Sequence, residues 1–334
     1  MTTKSVIFVG GTAYSGSTLL DMMLASGPQG FSAGEVSALF RPYRPHHLHP
    51  TCGCGDPACS LWPELKRFNE HGFWEEIFRR FPQVNTIVDS SKDPFWIRQQ
   101  AEYLARHGLA VRHVLIWKTP GDFARSQLKR GQQHKWERTW KNYHRLYVAL
   151  VGVPLTVEYA QLVAEPSAIL EQLCSELGVA HFAGKERYWD FTHHTLFGNT
   201  SAKIHLYDKE SAAYRASASE LRETTRTGGE PVSIERHRSI YEDAAGETAL
   251  SPSLVAQIDA DQELTAIASL LEAASTRAPR SEATIERLLA RVRPGSAQQW
   301  VLRMRSGVRR RLGLARSLYV SKLRSTGGRG GSGW

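Results

Sequence analysis

A glycine-rich stretch near the N-terminus constrains the fold more than any other feature of this sequence. Gly11-Thr-Ala-Tyr-Ser-Gly-Ser-Thr18 follows an apolar run at residues 5–9 and leads into residues 17–25, whose apolar side chains recur at helical spacing. This order of strand, glycine loop and helix places main-chain N–H groups and the positive end of a helix dipole around one anion. The spacing is that of a Walker A loop, but Ser17 occupies the position of the lysine. We therefore expect a phosphate-cradling loop for a ligand that carries fewer charges than a nucleoside triphosphate.

Strand and helix patterns alternate after this loop. Short apolar runs typical of buried strands occur at residues 86–88, 111–116 and 155–157. Helical patterns occur at 94–107, 121–130, 134–151, 165–178 and 254–291. The alternation predicts an α/β fold, namely a P-loop-type parallel β-sheet flanked by helices, with ligands bound at the carboxyl ends of the strands.

Two segments fit this pattern poorly and predict insertions into a domain that spans residues 1–291. Residues 41–85 begin with an irregular stretch rich in cysteine and histidine, and residues 200–250 are polar and weakly patterned. We expect both to lie on the side where a second substrate binds, 200–250 as a surface insertion or lid. Residues 292–334 are predicted to be a basic, partly disordered tail, because they end in a glycine-rich low-complexity run.

The positive net charge of +9 belongs to the tail. Residues 291–334 hold 11 of the 42 Lys and Arg and no Asp or Glu, so residues 1–290 have 31 bases against 33 acids. A nearly neutral body argues against nucleic-acid binding. Apolar and basic residues interleave at 300–324, a pattern that an amphipathic helix on an anionic membrane would have and that a solvated tail or a helix packed on the domain fits equally. With no apolar run long enough to span a bilayer and no signal-peptide pattern, we expect a cytoplasmic protein, in contact with the inner face of the membrane if the tail binds lipid.

Several sequence blocks over about residues 5–200 resemble those of sulfotransferases that use 3′-phosphoadenosine 5′-phosphosulfate (PAPS). The resemblance is to the bacterial branch in particular, and the active-site blocks are also similar to those of tyrosylprotein sulfotransferases. In chain order the blocks are Phe8-Val-Gly-Gly-Thr-Ala-Tyr-Ser-Gly-Ser-Thr-Leu-Leu20, Gly34-Glu35, Cys52-Gly-Cys54-Gly with Cys59-Ser-Leu-Trp62, Asp89-Ser-Ser-Lys92-Asp-Pro94, Ile116-Trp-Lys118 with Ser126, Glu158-Tyr159-Ala-Gln-Leu162 and His194-Thr-Leu-Phe-Gly-Asn199. Their order and spacing together carry the resemblance. It implies transfer of a sulfuryl group from PAPS to a hydroxyl acceptor, which could be a glycan, a lipid, a phenolic compound or a tyrosine, with adenosine 3′,5′-bisphosphate as product.

The resemblance also assigns roles to individual residues. The 5′-phosphate would lie on the loop residues Tyr14, Ser15, Gly16, Ser17 and Thr18. The 3′-phosphate would contact Lys118 and Ser126, and Tyr159 would pack near the adenine or the 3′-phosphate. Arg130 lies one helical turn after Ser126, on the same face, so it could join the 3′-phosphate site or be an ordinary surface charge.

The catalytic residues implied by the resemblance are Glu35, as the base that takes the acceptor proton, and Lys92, as the cation beside the departing oxygen. Asp89 and His194 are the other candidates for the base. No catalytic metal is expected.

This chain departs from the family pattern at two positions. Tyr14 stands where most relatives have Arg or Lys, and Lys118 stands where they have Arg. The first change removes a cation and the second replaces a bidentate fork by a point charge. We expect a compensating base elsewhere, with Lys203 and Arg98 as candidates, or else weaker donor binding.

The cysteine cluster leaves several interpretations open. Cys52, Cys54 and Cys59 could bind zinc together with His46, His47 or His49, but the C-x-C-x4-C spacing is not a usual zinc pattern, and a loop packed by reduced thiols or a labile disulfide is favoured. Cys174, on an apolar helix face, is expected in the core.

Two other functions also remain open. The chain could be a P-loop kinase of a small metabolite, although it lacks the Walker lysine. It could also be a nucleotide-binding protein without catalysis whose tail binds membrane or RNA.

Overall fold

The computed structural model describes residues 3–226, 237–240, 249–276 and 281–292. A five-stranded, all-parallel sheet in the order β2-β3-β1-β4-β5 organises this part of the chain. The strands are β1 (Ser5–Gly10), β2 (Gly30–Gly34), β3 (Thr86–Asp89), β4 (Ala110–Trp117) and β5 (Leu155–Glu158). The predicted α/β fold with a parallel sheet flanked by helices is confirmed.

The central strand β1 divides the hydrophobic core into two layers. Val6 and Phe8 are fully buried on one face of the sheet, whereas Ile7 and Val9 are fully buried on the other, because successive strand side chains alternate. The α-helices of the described residues are α1 (Ser17–Ala25), α2 (Ser37–Phe40), α3 (Leu61–Leu65), α4 (Asn69–Arg80), α5 (Pro94–Arg106), α6 (Pro120–Leu128), α7 (Trp136–Leu150), α8 (Tyr159–Ala164), α9 (Pro166–Leu177), α10 (Thr200–Lys203), α11 (Ala212–Arg226), α12 (Pro252–Ala260), α13 (Gln262–Ala273) and α14 (Glu282–Val292). Burial on both faces explains why the strands read as continuous apolar runs.

Strand β2 was not predicted from the sequence. Its residues Gly-Phe-Ser-Ala-Gly lack the β-branched side chains that mark the other strands. The small residues are required by packing, because a Cβ at Gly30 would lie 2.2 Å from the carbonyl oxygen of Ala25 at the end of α1. Tertiary packing therefore sets this strand where local propensity does not.

Part of the predicted insertion at 41–85 packs into the core. It contains α3 and α4, whose Trp62, Phe73 and Trp74 are almost fully buried. In the segment 200–250, α10 and α11 are ordered, whereas 227–236 and 241–248 lie outside the described residues.

The basic tail from residue 293 onward also lies outside the described residues, so membrane contact through 300–324 stays a prediction. Within the described ranges, none of the helices combines the length and the apolar character that crossing a bilayer requires.

Candidate active site

The carboxyl ends of the parallel strands bring distant parts of the sequence to one edge of the sheet. β1 ends at the glycine loop, β2 ends immediately before Glu35, and β3 ends at the turn that carries Lys92. β4 ends immediately before Lys118, and β5 ends immediately before Tyr159. These positions therefore meet at the edge of the sheet where ligands bind in this fold. Ser126 lies on α6, and Arg130 lies in the turn just beyond that helix.

The glycine loop has the backbone form of an anion cradle. Tyr14 and Gly16 have positive φ angles of 66° and 96°, and Gly16 directly precedes α1, which opens with Ser17. The hydroxyl groups of Thr12 and Ser15 are buried and have no hydrogen-bond partner among the described residues. Buried unpaired hydroxyls are costly, so these two groups are available to hydrogen-bond a ligand or a water molecule at the loop.

Gly16 leaves room for an aromatic ring that connects the loop to the cation on β4. A Cβ at Gly16 would lie 2.4 Å from Cδ2 of Tyr159. The Nζ of Lys118 lies 4.5 Å from the centroid of the same ring. Lys118 is nearly fully buried, and the indole of Trp140 donates to its carbonyl oxygen at 2.9 Å. Tyr159 is thus held against the loop and Lys118 against the ring of Tyr159.

A second cation meets the loop through Tyr14. The guanidinium carbon of Arg130 lies 4.0 Å from the centroid of the Tyr14 ring, and Nη1 of Arg130 donates to the Ser126 hydroxyl at 2.8 Å. α6 ends at Leu128, so Arg130 reaches Ser126 from the turn that follows the helix and not from the same helix face. Arg130 therefore places a positive charge beside the loop position where Tyr14 itself carries none.

Glu35 and Lys92 form an ion pair at the same edge of the sheet. Nζ of Lys92 lies 2.5 Å from Oε1 of Glu35, and both side chains are about one-sixth exposed. Lys92 has a positive φ of 64°, a conformation that costs a non-glycine residue about 1–3 kcal/mol and tends to occur at functional sites. Because both groups remain accessible, the Glu35 carboxylate can release Lys92 and bind a hydroxyl group, and the Lys92 ammonium can release Glu35 and bind an anion.

Tyr143 braces the site in a way that the sequence did not reveal. Its hydroxyl accepts from the N–H of Gly11 at 2.7 Å and donates to the carbonyl oxygen of Lys92 at 2.8 Å. This one group therefore connects the anion loop to the turn that carries Lys92. Helical spacing predicted an apolar face on α7, but only tertiary packing shows what that face meets.

The two other candidate bases have partners of their own. Asp89 is fully buried, and its carboxylate accepts from the indole of Trp96 at 2.7 Å and from the N–H of Ser91 at 2.6 Å. Nδ1 of His194 lies 3.2 Å from the sulfur of Cys52. Asp89 is placed to shape the Lys92 turn, and His194 belongs to the cysteine cluster.

The two bases proposed to compensate for Tyr14 and Lys118, Arg98 and Lys203, lie in different surroundings. Nε of Arg98 pairs with Glu102 at 2.8 Å on the surface of α5. Lys203 lies close enough to Glu35 and Glu220 for their charges to act on it, although burial is the larger effect and lowers its pKa. Lys203 therefore lies within range of the Glu35 charge, whereas Arg130 is the base that contacts Tyr14.

The segment 194–199 contacts two of the strand-end loops of the site. Thr18 accepts at its hydroxyl from the N–H of Asn199 at 3.0 Å, and the carbonyl oxygen of Leu196 accepts from the N–H of Glu35 at 2.8 Å. This segment therefore contacts both the anion loop and the Glu35 backbone.

Most of the large aromatic residues in the segments 41–85 and 131–150 lie in the core and are not available to an acceptor. These are Trp62, Trp74, Trp136, Trp140 and Tyr147, all at most 5% exposed. Tyr43, which is 50% exposed, and the neighbouring His46 lie within range of the Glu35 charge, although burial is the larger influence on the pKa of each. The start of the 41–85 segment is therefore the part of it that faces Glu35.

A buried carboxyl group beneath the site should make stability depend on pH. Burial raises the pKa of Asp21 from 3.8 to about 7, while hydrogen bonds from Ser32 and Gly34 act in the opposite direction. Because the folded state binds the extra proton, its stabilising contribution is complete below pH 4 and is lost as pH rises to about 7. The difference in unfolding free energy between wild type and Asp21→Asn should fall over this range by up to about 1.4 kcal/mol per pH unit.

Denaturant unfolding at several pH values measures this difference. The exposed Asp259→Asn variant on α12 is the matched control. A difference that stays constant from pH 4 to pH 7 would contradict a raised pKa at Asp21.

No protein-family model matches this chain, and no curated protein matches it. Among solved structures it is similar to the sulfotransferase domain from the curacin biosynthetic pathway, with 16% identity and a TM-score of 0.43 over 68% of this chain and 96% of that one. It is also similar to the sulfotransferase domain of the Synechococcus PCC 7002 olefin synthase, with 18% identity and a TM-score of 0.38 over 56% of this chain and 77% of that one. A third similar structure is a sulfotransferase from Alicyclobacillus acidocaldarius, with 14% identity and a TM-score of 0.34 over 67% of this chain and 96% of that one. Similarity at this level assigns no activity, which has to be argued from the geometry of the site.

Proposed function

We propose that this protein is a sulfotransferase that uses PAPS as donor and a hydroxyl group as acceptor. The observation that carries the proposal is the pair of cations, Lys118 and Arg130, each lying on the ring of a tyrosine at the anion loop. A loop for one 5′-phosphate does not require two further cations, whereas a nucleotide with an additional 3′-phosphate does. The absence of the Walker lysine at Ser17 points in the same direction.

The loop residues fit the 5′ end of such a donor. The main-chain N–H groups of Ser15 to Thr18 and the unpaired hydroxyls of Thr12 and Ser15 would hold the phosphate. Lys118, Ser126 and Arg130 would hold the 3′-phosphate. When bound, PAPS supplies the sulfuryl group that is transferred.

The ion pair of Glu35 and Lys92 provides the two remaining chemical functions. The Glu35 carboxylate would accept the proton of the acceptor hydroxyl, so that the acceptor oxygen becomes the nucleophile. The Lys92 ammonium would move from Glu35 to the departing phosphate oxygen of the donor and would stabilise the negative charge that develops there. Tyr143 holds the turn of Lys92 against the loop, so the two groups keep a fixed distance from the donor site.

The acceptor would approach Glu35 past Tyr43 and His46. An exposed phenol and an imidazole suit a small molecule or a glycan with several hydroxyl groups, since the rings offer both apolar faces and hydrogen bonds. A transfer assay with labelled PAPS across sugars, lipids, phenols and tyrosine peptides would identify the acceptor class.

Donor selectivity tests the proposed function directly. Titration calorimetry should show that adenosine 3′,5′-bisphosphate binds at least about 10-fold more tightly than AMP or ATP, because a hydrogen bond to a charged group contributes about 1.5–3 kcal/mol. Magnesium should not be required. Equal affinity for ATP, or binding of ATP only with magnesium, would contradict the proposal and favour a kinase.

The kinase alternative is less compatible with the site. A kinase needs a carboxylate near the phosphates to help hold magnesium. Asp89, the acidic residue at the end of β3, is fully buried, and both of its carboxylate oxygens already accept hydrogen bonds.

A further inference from the structure

Three cysteines and one histidine converge at a point separate from the anion loop. The thiol sulfurs of Cys52, Cys54 and Cys59 and a ring nitrogen of His194 all lie within 4.8 Å of one another. His46, His47 and His49, the histidines suggested by the sequence, are not members of this group. His194 is 135 residues from Cys59, so no local spacing pattern could have included it.

We propose that Cys52, Cys54, Cys59 and His194 bind one structural zinc ion. A tetrahedral zinc with ordinary Zn–S and Zn–N bonds places its ligand atoms about 3.6–3.8 Å apart. The sulfur of Cys52 lies 3.2 Å from Nδ1 of His194, and the other separations reach at most 4.8 Å, so small side-chain adjustments suffice. Three thiolates and one imidazole are a set of ligands that favours zinc over magnesium or calcium.

Backbone N–H groups orient two of the cysteine sulfurs. The N–H of Cys54 donates to the sulfur of Cys52, and the N–H of Asp56 donates to the sulfur of Cys54. Hydrogen bonds to a ligand atom fix its orientation at a metal site.

The backbone of His194 is fixed independently of any metal. The indole of Trp62 donates to the carbonyl oxygen of His194 at 2.7 Å, and the His194 ring stacks against Phe31 at 6.0 Å. The imidazole is therefore directed toward the cysteines before an ion binds, which lowers the entropic cost of forming the site.

Four protein ligands leave no open position, which is typical of a structural and not a catalytic zinc. The ion would fasten the 52–59 loop to the segment that begins at His194. In that segment the carbonyl oxygen of Thr195 already accepts a hydrogen bond from the N–H of Gly53 at 2.9 Å. The carbonyl oxygen of Leu196 accepts one from the N–H of Glu35. The zinc site would thus stabilise the wall of the active site without taking part in the reaction.

Metal analysis of the full-length protein, purified under reducing conditions without added metal, tests this site. We expect one zinc per chain by mass spectrometry, and its loss in Cys59→Ser and His194→Ala. Cys174→Ala, which removes a buried cysteine in the other layer of the core, is the matched control and should retain the ion. Cys59→His, which keeps a zinc ligand at that position, should retain more metal than Cys59→Ser.

Two measurements on the unmodified protein keep the test independent of how well the variants fold. Replacement by Co²⁺ should give thiolate charge-transfer bands and the intense visible bands of tetrahedral cobalt. Removing zinc with a strong chelator should lower Tm by several degrees, and adding zinc back should restore it. A metal-free protein with three reactive thiols and a Tm unaffected by chelator, or a disulfide among the three cysteines in the purified protein, would overturn the proposal.

Discussion

Glu35→Gln is expected to lower the turnover of sulfuryl transfer by about 10²-fold or more, because an amide cannot accept the acceptor proton. Affinity for adenosine 3′,5′-bisphosphate should stay within about threefold of wild type, since Glu35 pairs with Lys92 and contacts none of the residues assigned to the phosphates. Lys92→Ala should cause a loss of similar size. Steady-state kinetics and calorimetry on the same preparations separate the two effects.

Controls for this prediction come from the ion pair itself. Lys92→Arg keeps the charge and should recover part of the lost turnover, whereas Lys92→Met keeps the length without the charge and should not. Glu102→Gln, which removes the partner of an exposed ion pair on α5, should leave turnover unchanged. Full activity in Glu35→Gln would show that another group takes the proton, and weakened donor binding in that variant would show that Glu35 shapes the donor site.

The parts of the fold that follow from local sequence were predictable. β1, the glycine loop and α1 are consecutive, and each has a composition that only a few backbone conformations satisfy. β3, β4 and β5 could be recognised as apolar runs because parallel strands are buried on both faces. β2 could not, since Gly30 is required by the close approach of Ala25 at the end of α1, and Gly34 by that of the Leu196 backbone, and neither by strand propensity.

The composition of the site was more predictable than its pairing. The spacing of four residues predicted that Arg130 lies near Ser126, and the two are in contact although α6 ends at Leu128 and Arg130 lies in the following turn. The contact of Arg130 with Tyr14, and that of Tyr143 with Gly11 and Lys92, join residues more than 50 positions apart. Such contacts depend on how the helices pack on the sheet, which no single stretch of sequence encodes.

The same reasoning explains the change in the interpretation of His194. As an isolated histidine in a family-like block it was a candidate base, whereas its position beside Cys52 makes it a candidate ligand. The sequence pattern of the three cysteines was incomplete because the fourth group follows another part of the chain. A metal site built from two distant segments therefore becomes recognisable only after the fold is known.

Arg130→Ala is expected to weaken binding of adenosine 3′,5′-bisphosphate by about 10- to 100-fold, because a charge-assisted hydrogen bond to a phosphate contributes about 1.5–3 kcal/mol. The effect should be larger than for AMP, which lacks the 3′-phosphate that Arg130 and Ser126 would hold. Arg130→Lys should restore only part of the affinity, since a point charge cannot reproduce a planar fork. Calorimetry with both nucleotides measures each difference, and Arg145→Ala, which breaks a surface ion pair with Glu263, is the control.

A compensating substitution distinguishes the loss of a charge from a distortion of the loop. In the Arg130→Ala background, Tyr14→Arg returns a cation to the loop position from which Arg130 now reaches the site. If Arg130 supplies the positive charge that is missing at position 14, this double variant should bind adenosine 3′,5′-bisphosphate more tightly than Arg130→Ala alone. In the wild type, the Tyr14→Arg change should add little affinity, because the two adjacent cations would repel each other. Unchanged affinity in Arg130→Ala, or an equal loss for AMP and the bisphosphate, would show that the Arg130 charge does not recognise the 3′-phosphate.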